Sequence, residues 1–125
     1  MGIKLIKIAA VYFVIGVLLG MYMSISHSYT YSSIHAHINL LGWASLALAG
    51  IVYYLFPAAG ESAAGKVHFW LHNIGLPIMM IGLFLLMSGT ESVEPVVAVG
   101  GVLVTLGILA FLYNVLANVR EGARR

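Results

Sequence analysis

Four long apolar stretches separated by short polar intervals set the pattern of this chain: Ile8 to Ile25, Ile34 to Ala59, Val67 to Met87 and Val96 to Val119. Each is close to the roughly 20 residues that cross a bilayer as a helix. The pattern predicts an all-α integral membrane fold, a four-transmembrane-helix bundle forming one domain over residues 1–125, with helices at about 4–25, 29–57, 65–88 and 95–120. Breakers fall in the polar intervals. Pro57 and Gly60 close the second helix, and Pro95 opens the fourth near its first turn, where a missing N–H costs little. Glu91 and Glu94 suit the positive end of that helix. Pro77 predicts a bend in the third helix that frees a carbonyl near Asn73. Gly16 and Gly20 form a GxxxG pair, and Gly75, Gly82 and Gly89 recur every seventh residue, faces by which membrane helices approach closely.

Composition sharpens the membrane assignment. The 125 residues are 62% hydrophobic and only 8% charged, with mean hydropathy +1.02, far from the roughly 25% charge of a soluble domain. The first stretch follows Lys4 and Lys7 but is too long for the apolar region of a secretory signal and lacks an A-x-A site, so it is expected to persist as a helix. The absence of cysteine excludes disulfides, thiolate metal sites and cysteine nucleophiles.

The pI of 9.1 does not mark a nucleic-acid surface, because the six basic residues flank the apolar stretches instead of forming a patch. Lys4, Lys7, Lys66, Arg120, Arg124 and Arg125 all fall on one side of a four-span chain, and the opposite loops, Ser24 to Ser33 and Ser88 to Pro95, hold none. The positive-inside rule then predicts a multi-pass protein of the cytoplasmic membrane with both termini cytoplasmic.

Four of the polar residues that remain inside the apolar stretches are histidines. His35 and His37 lie in the second, with Asn39 just beyond them. An ionisable side chain at that depth marks a functional site by default. Two residues apart on a helix is about 200° of rotation, so the two rings face opposite flanks and cannot share one metal. A helix beginning near Tyr29 puts His35 about 9 Å along it. His68 and His72 share a face at the spacing of a two-ligand metal site, entering from the cytoplasmic side. The plainer alternative makes the H-x-H histidines packing residues, hydrogen-bonded to carbonyls or to Asn39. Asn114 and Asn118 are expected to hydrogen-bond between helices near the inner surface.

Two segments resemble the catalytic subunit, subunit I, of the heme-copper oxidases, at its tenth and eleventh transmembrane helices. His27-Ser28-Tyr29-Thr30-Tyr31-Ser32-Ser33-Ile34-His35-Ala36-His37 aligns without a gap with the family's HDTYYVVAHFH, and Gly42, Gly50, Phe56 and Pro57 fall near its later glycines and terminal F-P. Lys66-Val67-His68-Phe69-Trp70-Leu71 is similar to the start of its next helix, KIHFWL. The resemblance covers about Ser24 to Gly82 and implies that His35 stands at the ligand of the high-spin heme, His37 at a ligand of the low-spin heme, and His27 at a ligand of the outer magnesium. The family's aspartate beside that last position is Ser28 here, and His72 has no histidine counterpart. The helices carrying the family's copper ligands and cross-linked tyrosine have no equivalent.

The family's twelve-helix subunit consists of three four-helix arcs in pseudo-threefold array, and this chain resembles one arc. Three copies about a true threefold axis would present His35 to one inter-protomer pore and His37 to the next. The expectation is therefore a homotrimer in the lipid bilayer that holds heme b through His35 and His37, with electron transfer, or binding of heme or a gas ligand, as its role. Oxidoreductase chemistry would reach no further than electron transfer. A non-heme copper or zinc site, drawing on His68, His72 and the H-x-H pair, with His27 as a further candidate metal ligand, and a cofactor-free assembly protein are the competing classes.

Overall fold

The computed structural model describes residues 1–122 and is helical in every regular element among them. Four spans are long and apolar enough to cross a membrane: Gly2–Ser26, Ser32–Leu55, Ala63–Met87 and Glu91–Asn118. The first is helix α1. The second is composite, with α2 (Ser32–His37), a π-helical segment (Ile38–Ala44) and α3 (Ser45–Leu55) in one continuous run. A short α4 (Pro57–Glu61) turns the chain into the third span, α5 (Ala63–Met87). A 3-10 turn over Glu91–Val93 leads into the fourth, α6 (Glu94–Asn118).

Local chemistry accounts for the boundaries. Phe56 leaves helical geometry at φ −125°, ψ 75°, and Pro57 restarts the chain at the first position of α4, where it has no N–H to strand. Ser62 caps α5, its Oγ accepting from the Gly65 N–H at 3.0 Å. Pro95 sits in the first turn of α6 beside Glu94, as the sequence suggests. α1 ends on His27, which takes the left-handed conformation at φ 53°, and the ring is exposed. The second span begins at Ser32, three residues later than expected, so His35 stands only about 4.5 Å inside its N-terminal end. Pro77 lies within α5 without interrupting it.

The spans pack in sequence order: α1 against the second, the second against α5, and α5 along α6. No comparable contact joins α1 to α6 among the described residues, so the array is an open arc. The terminal spans are 17% buried and the two inner ones 39%, which fits outer helices that leave one whole side to lipid or to further chains.

Glycines set the close approaches. A Cβ on Gly100 would lie 2.5 Å from the Met79 backbone nitrogen, and one on Gly75 would lie 2.7 Å from Leu103 Cβ. Gly82 meets Val97 and Gly107 meets the His72 backbone, so α5 and α6 exchange glycines seven residues apart on both sides. Gly89 is not part of this stripe: it lies past the end of α5 at φ +108° with nothing near it. Gly16 and Gly20 face Asn39 and the His35 ring.

Gly100→Val is expected to lower stability by about 1–3 kcal/mol, because the added side chain meets backbone that cannot swing aside. Gly101→Ala, whose Cβ comes no nearer than 3.7 Å to Met79 Sδ, should be close to neutral in the same detergent unfolding assay.

The basic residues share one end of the arc. Gly2 packs against Gly50 and Tyr54, which brings the start of α1, with Lys4 and Lys7, to the C-terminal end of α3. Asn114 bonds Ala59 and Ser62, which brings the end of α6 and Arg120 to α4 and the start of α5, with Lys66. Arg124 and Arg125 lie outside the described residues. At the other end Tyr31 Oη and Ser88 Oγ are 2.8 Å apart, and the Tyr31 ring stacks on Phe84.

Candidate functional site

The H-x-H pair lies in α2, immediately before the π-helical segment. His35 turns toward α1, where its Nδ1 donates to the Gly16 carbonyl at 3.0 Å. A Cβ on Gly20 would stand 2.9 Å from the ring's Cε1, so that glycine is the room the imidazole occupies. Asn39, one turn on, donates to the His35 carbonyl at 2.9 Å and holds its amide nitrogen 3.3 Å from both ring nitrogens. His37 turns the other way. Its Nδ1 donates to the Ser33 carbonyl at 2.7 Å, and its ring lines an open groove of about 310 Å³ with Leu41, Met79, Gly101, Val104 and Thr105. The two rings thus face opposite flanks, as the 200° helical rotation dictates.

His68 and His72 sit elsewhere and are more deeply enclosed, at 1% and 0% exposure. His72 Nε2 donates to the Leu41 carbonyl at 2.9 Å, inside the π-helical segment. There the Ser45 N–H reaches back five residues to Leu40, so the ladder is in wide register where the Leu41 oxygen turns to α5. Because that carbonyl can only accept, His72 carries a proton on Nε2, and in the neutral ring Nδ1 is then bare. His68 Nε2 then donates to His72 Nδ1 at 3.1 Å, and the Tyr53 hydroxyl donates to His68 Nδ1 at 2.8 Å. Asn114, with no exposure, donates to Tyr53 Oη at 3.3 Å and to the Ala59 carbonyl at 2.9 Å. Its Oδ1 accepts from Asn118 at 2.7 Å and from Ser62 Oγ at 3.0 Å. Phe111 packs on both rings, 4.9 Å from His68 and 5.8 Å from Tyr53.

These bonds sort the candidate ligands. His35, His37, His68 and His72 carry eight ring nitrogens, two each, and seven have a hydrogen-bonding neighbour. The eighth is His37 Nε2. No buried side-chain nitrogen or oxygen among the described residues lacks a partner, so this bare nitrogen is accessible from the groove. A histidine that donates Nδ1–H to a backbone carbonyl is fixed in the tautomer that offers its Nε2 lone pair, the arrangement of a metal-ligating imidazole. The His68 and His72 rings keep their i, i+4 spacing but engage all four nitrogens, so a metal there would have to displace existing bonds. His27 is apart from both groups at the exposed end of α1, and the described residues contain no cluster of three or more His, Cys, Asp or Glu able to hold a metal.

Asn39 pairs with His35, as the plainer reading of the H-x-H pair expects, whereas Tyr53 and the Leu41 carbonyl were not singled out as partners of these rings by sequence reasoning. A signal for Tyr53 existed: it stands two residues before the end of one span and His68 five after the start of the next, which places them at similar depth on antiparallel neighbours. The π-helical segment has no comparable signal beyond Asn39 and Gly42 inside it. The chain matches no protein-family model, no curated protein and no solved structure.

Proposed function

We propose that this protein binds b-type heme and transfers electrons in the membrane, with His37 Nε2 as the nitrogen that would ligate the iron. The observation that carries this reading is that bare, accessible nitrogen, fixed by the Ser33 carbonyl at the wall of an apolar groove. The residues fit a porphyrin in kind. Leu41, Val104, Ile108 and Leu109 offer apolar contact to a macrocycle, and Gly101 leaves a gap where a side chain would stand. Heme supplies a one-electron couple; this chain supplies the ligand, its orientation and a low-dielectric wall.

The groove is too small to enclose a whole porphyrin, and the other histidine of the same helix faces the opposite flank. A second copy of the chain therefore completes the site, bringing its His35 to the iron once its Asn39 amide turns aside. A ring closes this arrangement with the second span of each chain used twice, once through each flank, and three copies is the number the resemblance to one arc of a heme-copper oxidase subunit implies. Two histidine ligands leave iron no open position, which favours electron transfer over gas binding.

The shared end of Lys4, Lys7, Lys66 and Arg120 is the cytoplasmic end by the positive-inside rule. A cysteine placed at exposed Ser92 should react with an impermeant thiol reagent in intact cells, and one at exposed Glu61 should not. The reverse labelling would invert the orientation.

A further inference from the structure

The Tyr53, His68 and His72 chain lies outside the groove, is not used by the proposed heme site, and is an improbable choice for packing alone. Three titratable side chains are buried in series inside a membrane span, where apolar residues of similar size would pack without a desolvation cost. We propose that this chain is a proton acceptor that takes up one proton from the cytoplasmic side when an electron arrives at the His37 groove. The inference rests on the proposed heme site for its trigger, though not for the proton chemistry itself.

The hydrogen bonds define the step. In the resting state every proton points toward Leu41: Tyr53 O–H to His68 Nδ1, His68 Nε2–H to His72 Nδ1, His72 Nε2–H to the Leu41 carbonyl. A proton entering at Tyr53 Oη replaces the one Tyr53 hands to His68 Nδ1, and His68 passes its Nε2 proton to His72 Nδ1. Tyr53 and His68 end neutral and His72 ends as the imidazolium. One proton enters, none leaves, and only O–H and N–H bonds change.

The product keeps its hydrogen bonds. His72 donates from both nitrogens, to His68 Nε2 and to Leu41, while His68 Nδ1 donates to Tyr53 Oη, and the Tyr53 hydroxyl gains an acceptor when the Asn114 amide turns over to present Oδ1 in place of the Nδ2 that faces it at rest. The entry end is polar: Asn114, Asn118 and Ser62 connect Tyr53 to the end of the arc that carries Lys66 and Arg120.

The position of the positive charge matches its purpose. His72 bonds the Leu41 carbonyl, and Leu41 lines the groove beside His37, so the charge stands one residue from the site that gains the electron. Opposite charges attract more strongly where water is excluded, so an electron gained on one side favours a proton on the other. Nothing else competes for the proton at this place. The groups facing the pair are Tyr53 from α3 and Phe111 and Asn114 from α6, and its hydrogen-bond partners include no carboxylate or amine among the described residues.

The test is proton uptake on reduction. Purified full-length protein is photoreduced in weakly buffered detergent with a pH-indicator dye, while ¹⁵N-histidine NMR follows the rings. Wild-type protein should take up about one proton per electron, with the new N–H at His72 Nδ1. His72→Gln keeps a donor to Leu41 and an acceptor for His68 but cannot be charged; it should leave the Soret band in place and abolish uptake. Tyr53→Phe should slow uptake many-fold without changing its extent. Uptake undiminished in His72→Gln, or none in wild type, overturns the proposal. If no heme absorbance is found, acid titration by NMR alone decides it: one proton shared by the pair, appearing first at His72 Nδ1, supports the acceptor, and independent titration of the two rings overturns it. That outcome would refute the heme reading separately.

Discussion

Alanine at His37 is expected to strip heme from the purified protein, removing the Soret band and the sharp α-band of the reduced form. The effect should be near complete because His37 Nε2 is the one histidine ring nitrogen in the spans with no competing partner, and its ring lines the groove. His35→Ala should act differently. It removes the Gly16 contact and the ring beside Gly20, so it should loosen α1 from the second span as well as weaken heme retention. A neutral control is also predicted: Ser33 contributes only its carbonyl, so Ser33→Ala should keep a normal spectrum. A full heme complement in both His35→Ala and His37→Ala would show that the iron is held elsewhere.

The largest effect on stability is expected at His68. Leucine there leaves the Tyr53 hydroxyl without an acceptor and His72 Nδ1 without a donor, both in the interior. Stranding a buried polar group costs roughly 1–3 kcal/mol, so His68→Leu should lose about 2 kcal/mol or more. That exceeds the roughly 0.6 kcal/mol of an average interhelical hydrogen bond in a bilayer, because here two groups lose their partner at once. Tyr53→Phe in the His68→Leu background should recover part of the loss, since it removes one stranded group. Equal and additive losses in a detergent unfolding cycle would mean the three side chains do not act as a unit.

The spans and their ends were legible in the chain itself. Apolar length, Pro57, Pro95 and the one-sided basic residues carry that information without tertiary contacts, and helix boundaries moved by only a few residues. The opposite facing of His35 and His37 follows from helical rotation alone and is what the structure has. What could not be read was which nitrogens remain free. That depends on carbonyls brought up by neighbouring helices: Gly16 for His35 and Leu41 for His72. The i, i+4 spacing of His68 and His72 reads as a metal pair, yet the rings bond to each other and to Tyr53, because the π-helical register offers His72 an acceptor that an ordinary α-helical ladder would keep to itself. Likewise the heptad of glycines on α5 was visible, but its two partners on α6, Gly100 and Gly107, gain meaning only once the helices are side by side.

The central claim is that the heme is shared between copies of this chain, and native mass spectrometry in mild detergent, with an absorption spectrum of the same sample, tests it most directly. The account predicts a trimer carrying heme, with heme and Soret band lost together as the trimer dissociates. A heme-loaded monomer with an unchanged spectrum would contradict it.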